Sequence, residues 1–150
     1  MALAIDFTAA GAAISLLLFC VPYDKMCKMI PTAESKLAAL SMDFAVKVLR
    51  MCDCIKRHYS LVNQLERAAT SIGANIREAN YAHSRPDLIA KFQIALKECY
   101  ETEYWLELME MAEICKVETV SALLHDCGSI RRLLISSVNT AKQNMHSYFA

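Results

Sequence analysis

Gln64-Leu65-Glu66-Arg67-Ala68-Ala69-Thr70-Ser71-Ile72-Gly73-Ala74-Asn75-Ile76-Arg77-Glu78 decides the fold. Wound at about 100° per residue, Gln64, Arg67, Ser71, Asn75 and Glu78 share an arc of about 80°, and Leu61, Leu65, Ala68, Ile72, Ile76 and Ala79 line the arc beside it. An apolar stripe flanked by a polar seam is the pattern of a helix packed on another helix. It carries no arrangement of groups suited to covalent chemistry.

The same periodicity extends outward. A helix near 34–58 places Leu37, Leu40, Phe44, Val48, Met51 and Ile55 at spacings of three and four. Ser60 is positioned to cap the next helix, about 61–83. His83-Ser84-Arg85-Pro86-Asp87 breaks that helix and opens a third, about 85–114, in which Ser84 and Asp87 have capping-box spacing and Pro86 sits in the tolerant first turn. A fourth, about 118–146, aligns Val120, Leu123, Cys127, Ile130, Leu134, Val138 and Ala141. Four helices with short links predict an all-α, antiparallel up-down-up-down four-helix bundle over 34–150, with 1–33 as a short apolar N-terminal extension.

Composition agrees. Of 150 residues 55% are hydrophobic, with three Gly and three Pro, which favours long helices over strands and turns. The uncharged run 7–21 (FTAAGAAISLLLFCV) lacks a basic flank and falls short of a span, so it reads as an extension or short helix, with Met26 and Met29 as alternative starts, and a membrane role is not expected. The seven Cys are odd in number and contain no C-x-x-C, which predicts free thiols used as small hydrophobes in a reducing, cytoplasmic setting.

The third helix is the unusual one. Leu88, Phe92, Ala95, Cys99, Thr102, Leu106 and Met109 form one apolar stripe, and Tyr100, Tyr104, Leu108, Met111 and Cys115 form a second about 175° away. One stripe suffices for the bundle core. The second needs another partner, which makes Tyr100, Tyr104, Leu108 and Met111 candidate oligomer-interface residues. If the second and third helices are antiparallel about a turn between 84 and 85, facing residues sum to about 169 by helical rise. Glu78 then lies level with Lys91, Ser71 with Glu98, and Arg67 close to Glu101, completing a structural seam that sets register more than stability.

Catalytic, cofactor and metal residues are not found. The positions three before His58, His83, His125 and His146 are Ile55, Asn80, Ala122 and Gln143, so the Glu-x-x-His pair of a di-iron bundle is missing. No motif signals haem attachment, a phosphate loop or a zinc protease. Glu98, Glu101, Glu103, Glu107, Glu110 and Glu113 spread around their helix instead of converging on an ion. The chain is therefore expected not to be an enzyme.

Formal charge is +0, but residues 87–118 hold three Lys against eight Asp or Glu, leaving −5 there and +5 elsewhere. Any contact with RNA or DNA is thus local. Lys36, Lys47, Arg50 and Arg57 gather within about 80° on the first helix, interrupted by Asp43, and Arg131 and Lys142 share an edge of the fourth. Lys47, Arg50, Arg57 and Arg131 are the candidate nucleic-acid contacts, a modest patch that a ring of identical subunits would multiply. Tyr100, Tyr104 and Trp105 could stack on bases, but their glutamate-rich setting favours packing.

Two motifs, Gln64-Leu65-x-Arg67 with Ser71-Ile72-Gly73-Ala74-Asn75-Ile76-x-Glu78, and Phe92-x-x-x-Leu96-Lys97-Glu98-x-x-Glu101-Thr102-x-Tyr104-Trp105-Leu106, resemble those of the bacterial four-helix bundle protein family across about 35–146. That family includes proteins encoded in intervening sequences of large-subunit ribosomal RNA genes, and the accessory variability determinant of diversity-generating retroelements is similar to them. The resemblance implies a non-enzymatic, homopentameric bundle; the retroelement likeness implies contact with nucleic acid and a reverse transcriptase. A protein-interaction bundle of the intervening-sequence type, without direct nucleic-acid contact, is the alternative.

Overall fold

The computed structural model describes the backbone of residues 33–146 and side chains from Lys36 to Gln143. Among the described residues lie four α-helices, α1 (Ala33–Asp53), α2 (Tyr59–Ala79), α3 (Arg85–Met111) and α4 (Val117–His146), and no strand. The expectations for 1–32, including the extension and its apolar run, lie outside them, as do Cys20 and Cys27. No helix among the described residues is long and apolar enough to cross a membrane.

Each helix turns its apolar stripe inward. Leu37, Phe44, Val48 and Cys52 of α1 meet Leu65, Ile72 and Ile76 of α2, Phe92, Cys99, Leu106 and Met109 of α3, and Val120, Cys127, Ile130 and Leu134 of α4 in one core. A buried Leu, Ile or Phe contributes about 1.5–3 kcal/mol relative to exposure, so this shared cluster dominates the stability of the bundle. The two buried polar side chains are internally satisfied. Ser41 Oγ donates to Ala38 O at 2.9 Å and Thr102 Oγ1 to Glu98 O at 2.7 Å. Gly73 faces Ser41 across the α1–α2 contact, and a Cβ there would meet Ser41 Oγ at 3.5 Å, ordinary van der Waals contact.

Helix ends depart from the sequence-based bounds. The first helix stops at Asp53, five residues early, because the chain tightens: Cys54 N donates to Met51 O and Ile55 N to Cys52 O, turning Ile55 back against the core. The second helix starts at Tyr59, capped by His58 in a left-handed conformation (φ 60°) and not by Ser60, and it ends at Ala79 instead of 83. There Asn80, Tyr81 and Ala82 donate to carbonyls three residues back, a tight turn that uses up the last backbone acceptors. At the start of α3 one half of the expected box is formed: Asp87 N donates to Ser84 Oγ at 3.3 Å, while the Asp87 carboxylate accepts at 3.1 Å from His83 N, one residue before the N-cap N–H that a full box uses. The third helix ends at Met111, three residues before the expected bound, where Ile114 N bonds Met109 O and Glu113 N bonds Glu110 O. Those two bonds form a Schellman motif with Glu113 at the left-handed position, φ 54°.

Candidate functional site

The seam between α2 and α3 is anchored near the box-capped turn. Lys91 Nζ lies 2.6 Å from Glu78 Oε2, the two levels that rigid helical rise places opposite each other. Further along, the seam is looser. Arg67 is exposed and forms no ion pair with Glu101 within 4 Å, correcting the expected rung. Glu101 instead accepts from Trp105 Nε1 at 3.4 Å, and the charge of Arg67 falls on Glu98. Burial, then repulsion from Glu101, pushes the Glu98 carboxyl above the usual range, and Lys97 and Arg67 only partly offset this. Asn75 Nδ2 donates to the Ser71 backbone carbonyl at 2.9 Å, which turns the amide back onto α2; Gln64 is half-buried.

The four candidate cations do not form one patch. Lys47 lies 2.8 Å from both Asp126 of α4 and Asp43 one turn back, an arrangement that ties α1 to α4 and raises the lysine's pKa, Asp126 contributing most. Arg131 Nε donates to Glu103 Oε1 at 3.0 Å, and its guanidinium carbon stands 5.3 Å from the Tyr100 ring centroid. Tyr100 and Glu103 together raise the arginine's pKa. Because Asp126 and Arg131 are about 140° apart on α4, Arg131 faces α3 and Lys47 faces the opposite edge. Arg57 is not on the α1 face at all. The early end of α1 puts it in the 54–58 connection, whereas Arg50 stays on the helix, exposed.

The Arg131–Glu103–Tyr100 contact was missed from the sequence. Applying the level rule to the turn between α3 and α4 makes opposite residues sum to about 229, which sets Arg131 against Tyr100 within two residues. The same contact braces one edge of the second apolar stripe. Tyr100 remains 50% exposed, Tyr104 56% and Met111 84%, while Leu108 and Cys115 are half-buried. Tyr104 meets Trp105 edge-on at 4.9 Å, and Trp105 packs on the core rather than standing free for stacking. Ile135, one turn beyond Arg131, is also exposed.

No group of three or more His, Cys, Asp or Glu among the described residues is placed to hold a metal. The geometry thus defines a class: an antiparallel four-helix bundle registered and tied by Glu78–Lys91, Lys47–Asp126 and Glu103–Arg131, with an apolar face left over. Residues 33–136 match the family model described as 23S rRNA-intervening sequence protein, and the chain belongs to that family. It is similar to a crystal structure from Bacteroides thetaiotaomicron, described as a protein with unknown function from the S23 ribosomal protein family, at 39% identity and TM-score 0.67, over 71% of this chain and 97% of that one. No curated protein matches the sequence.

Proposed function

We propose that this protein is a non-enzymatic, self-assembling helical scaffold whose subunits meet through the outer face of α3. One observation carries the reading: Tyr100, Tyr104 and Met111 are half to mostly exposed on the helix that also buries Phe92, Leu106 and Met109 in the core. Aromatic residues, Met and Arg are enriched at protein–protein interfaces, and Arg131 stands over the Tyr100 ring beside this face. The homopentameric ring implied by the family resemblance is the assembly expected.

Sedimentation velocity on the full chain tests this. The wild type should sediment as a closed oligomer, and Tyr100→Lys with Tyr104→Lys should release helical monomers. A wild-type monomer at micromolar concentration refutes it.

A second reading, contact with RNA or DNA or with a nucleic-acid enzyme such as a reverse transcriptase, is favoured by Arg50 and Arg57. Both are exposed and free of ion pairs within 4 Å among the described residues, unlike Lys47 and Arg131. Repetition around an assembly would strengthen so small a patch. Salt-sensitive RNA retention that disappears in Arg50→Ala/Arg57→Ala supports this reading; no retention at low salt removes it.

A further inference from the structure

The geometry assigns a binding site for a small organic anion to the cavity at the end of the bundle where the 54–58 and 112–116 connections meet. The cavity measures ≈ 770 Å³, inside the roughly 300–1,000 Å³ range of ligand pockets. Met51, Ile55 and Ile114 give it apolar wall, and Lys56, Arg57 and Lys116 give it three cations against a single carboxylate, Glu113.

Those cations differ from the three that register or tie the helices. Lys47, Lys91 and Arg131 are each held by a carboxylate within 4 Å, whereas Lys56, Arg57 and Lys116 have none among the described residues. They therefore give the bundle no register and no tie between helices, and they stand around one open, mainly apolar hollow. Like charges gathered around one concavity raise the local positive potential and favour an anion there. The start of α2 adds to the same field. It has no side-chain cap and no acidic residue in its first turn.

The backbone around the cavity is also held in unusual conformations. His58 and Glu113, the two non-glycine residues with positive φ among those described, both line it. Sparsely populated conformations concentrate where the surroundings over-determine a site. The ligand class follows from the wall and the charge: a carboxylate or phosphate headgroup on an apolar or aromatic body. A bare inorganic ion would leave the apolar wall unused.

Calorimetric titration of the full-length protein tests this, with AMP and decanoate as the two probes and inorganic phosphate and adenosine as controls for each part. At least one probe should bind saturably, and the controls should bind at least about tenfold more weakly, since a charge-assisted hydrogen bond lost from a site costs that order of affinity. Preference for AMP assigns a nucleotide-like ligand, and preference for decanoate a fatty-acid-like one. Arg57→Ala and Lys116→Ala should each lose about tenfold with helicity retained. Lys142→Ala, near the other end of α4, should bind as wild type, and Glu113→Gln should bind more tightly. Absence of saturable binding of both probes at millimolar concentration overturns the assignment, as does unchanged affinity in the helical Arg57→Ala/Lys116→Ala variant.

Discussion

Replacing Glu113 by Gly should stabilise the bundle, although it deletes a side chain from the surface of a helix end. Glu113 occupies the left-handed position of a complete Schellman motif, with φ 54° and both motif hydrogen bonds formed at 2.9 Å. An L-residue with a Cβ is disfavoured there by about 1–2 kcal/mol, and Gly removes that cost. Gly also gains freedom in the unfolded chain, which returns about 0.5–1 kcal/mol. The expected net gain is thus about 0.5–1 kcal/mol, equivalent to a melting shift of ~2–4 °C for a bundle of this size. Glu113→Gln isolates the charge: it relieves only the unfavourable placement of an anion at a helix C-terminus, about 0.3 kcal/mol at an exposed site. Thermal unfolding followed by circular dichroism, at one fixed protein concentration so that assembly does not alter the comparison, reads all three proteins. Should Glu113→Gly melt at or below the wild type, or should Glu113→Gln recover the whole gain, backbone strain at this corner is not what the geometry implies.

Two further outcomes rest on titrating groups. Glu98 is held above the ordinary glutamate range by burial and by Glu101, so between the unfolded and folded pKa the native state binds more protons and stability falls as pH rises through that window. Glu98→Gln should accordingly raise the melting temperature at neutral pH and lose its advantage below the ordinary glutamate range; a Gln variant less stable at neutral pH contradicts this. Thiol alkylation of the native protein, read by peptide mass, should modify exposed Cys54 first and half-buried Cys115 more slowly. Cys52, pushed up to about 12 by burial and then by Glu66, should be protected, as should Cys99 and Cys127. A side-chain hydrogen bond with Cys99, then burial, likewise push the Cys127 thiol up. Rapid labelling of Cys127 without unfolding rules out the packed core around it.

Much of the fold was legible because its determinants are periodic. Ile72, Ile76 and Leu65 recur at helical spacing, and burial of that face is the largest energetic term, so the stripe identifies the core without knowledge of any partner. The Ser84–Asp87 box was equally plain, because its hydrogen bonds are local and its residue types few. The end of α1 was not. Apolar spacing carries on through Ile55, so periodicity alone runs the helix to 58, but Ile55 reaches the same core from a turn as easily as from a helix. With that end misplaced, Arg57 was set on a helical face that it does not share. Ion pairing was legible only where a register rule had been applied. Glu78–Lys91 followed from the turn beside it, and Arg131–Glu103 was missed because the second turn was left unused.

The two ends of the bundle differ in how far local sequence agrees with local structure, and this difference bears on where function lies. At the α2–α3 end, Ser84 caps, Asp87 answers, and Glu78 and Lys91 close the seam, so each residue type suits its conformation. At the other end, His58 caps α2 without a side-chain bond, Glu113 takes a position suited to glycine, and three cations lack partners. Sequences that specify one fold tend to be consistent at every level, and departures collect at sites under another demand. The two positive-φ residues and the uncapped start of α2 border one cavity. Self-assembly through Tyr100 and Tyr104 leaves the cations unexplained, although Met111 of the same face stands beside this corner. A bound anion accounts for the cations and for the uncapped start of α2 together. That separates the two proposals physically: lysine at Tyr100 and Tyr104 should abolish assembly and leave the monomer able to bind AMP or decanoate, whereas loss of Arg57 and Lys116 should abolish binding and leave the oligomer intact.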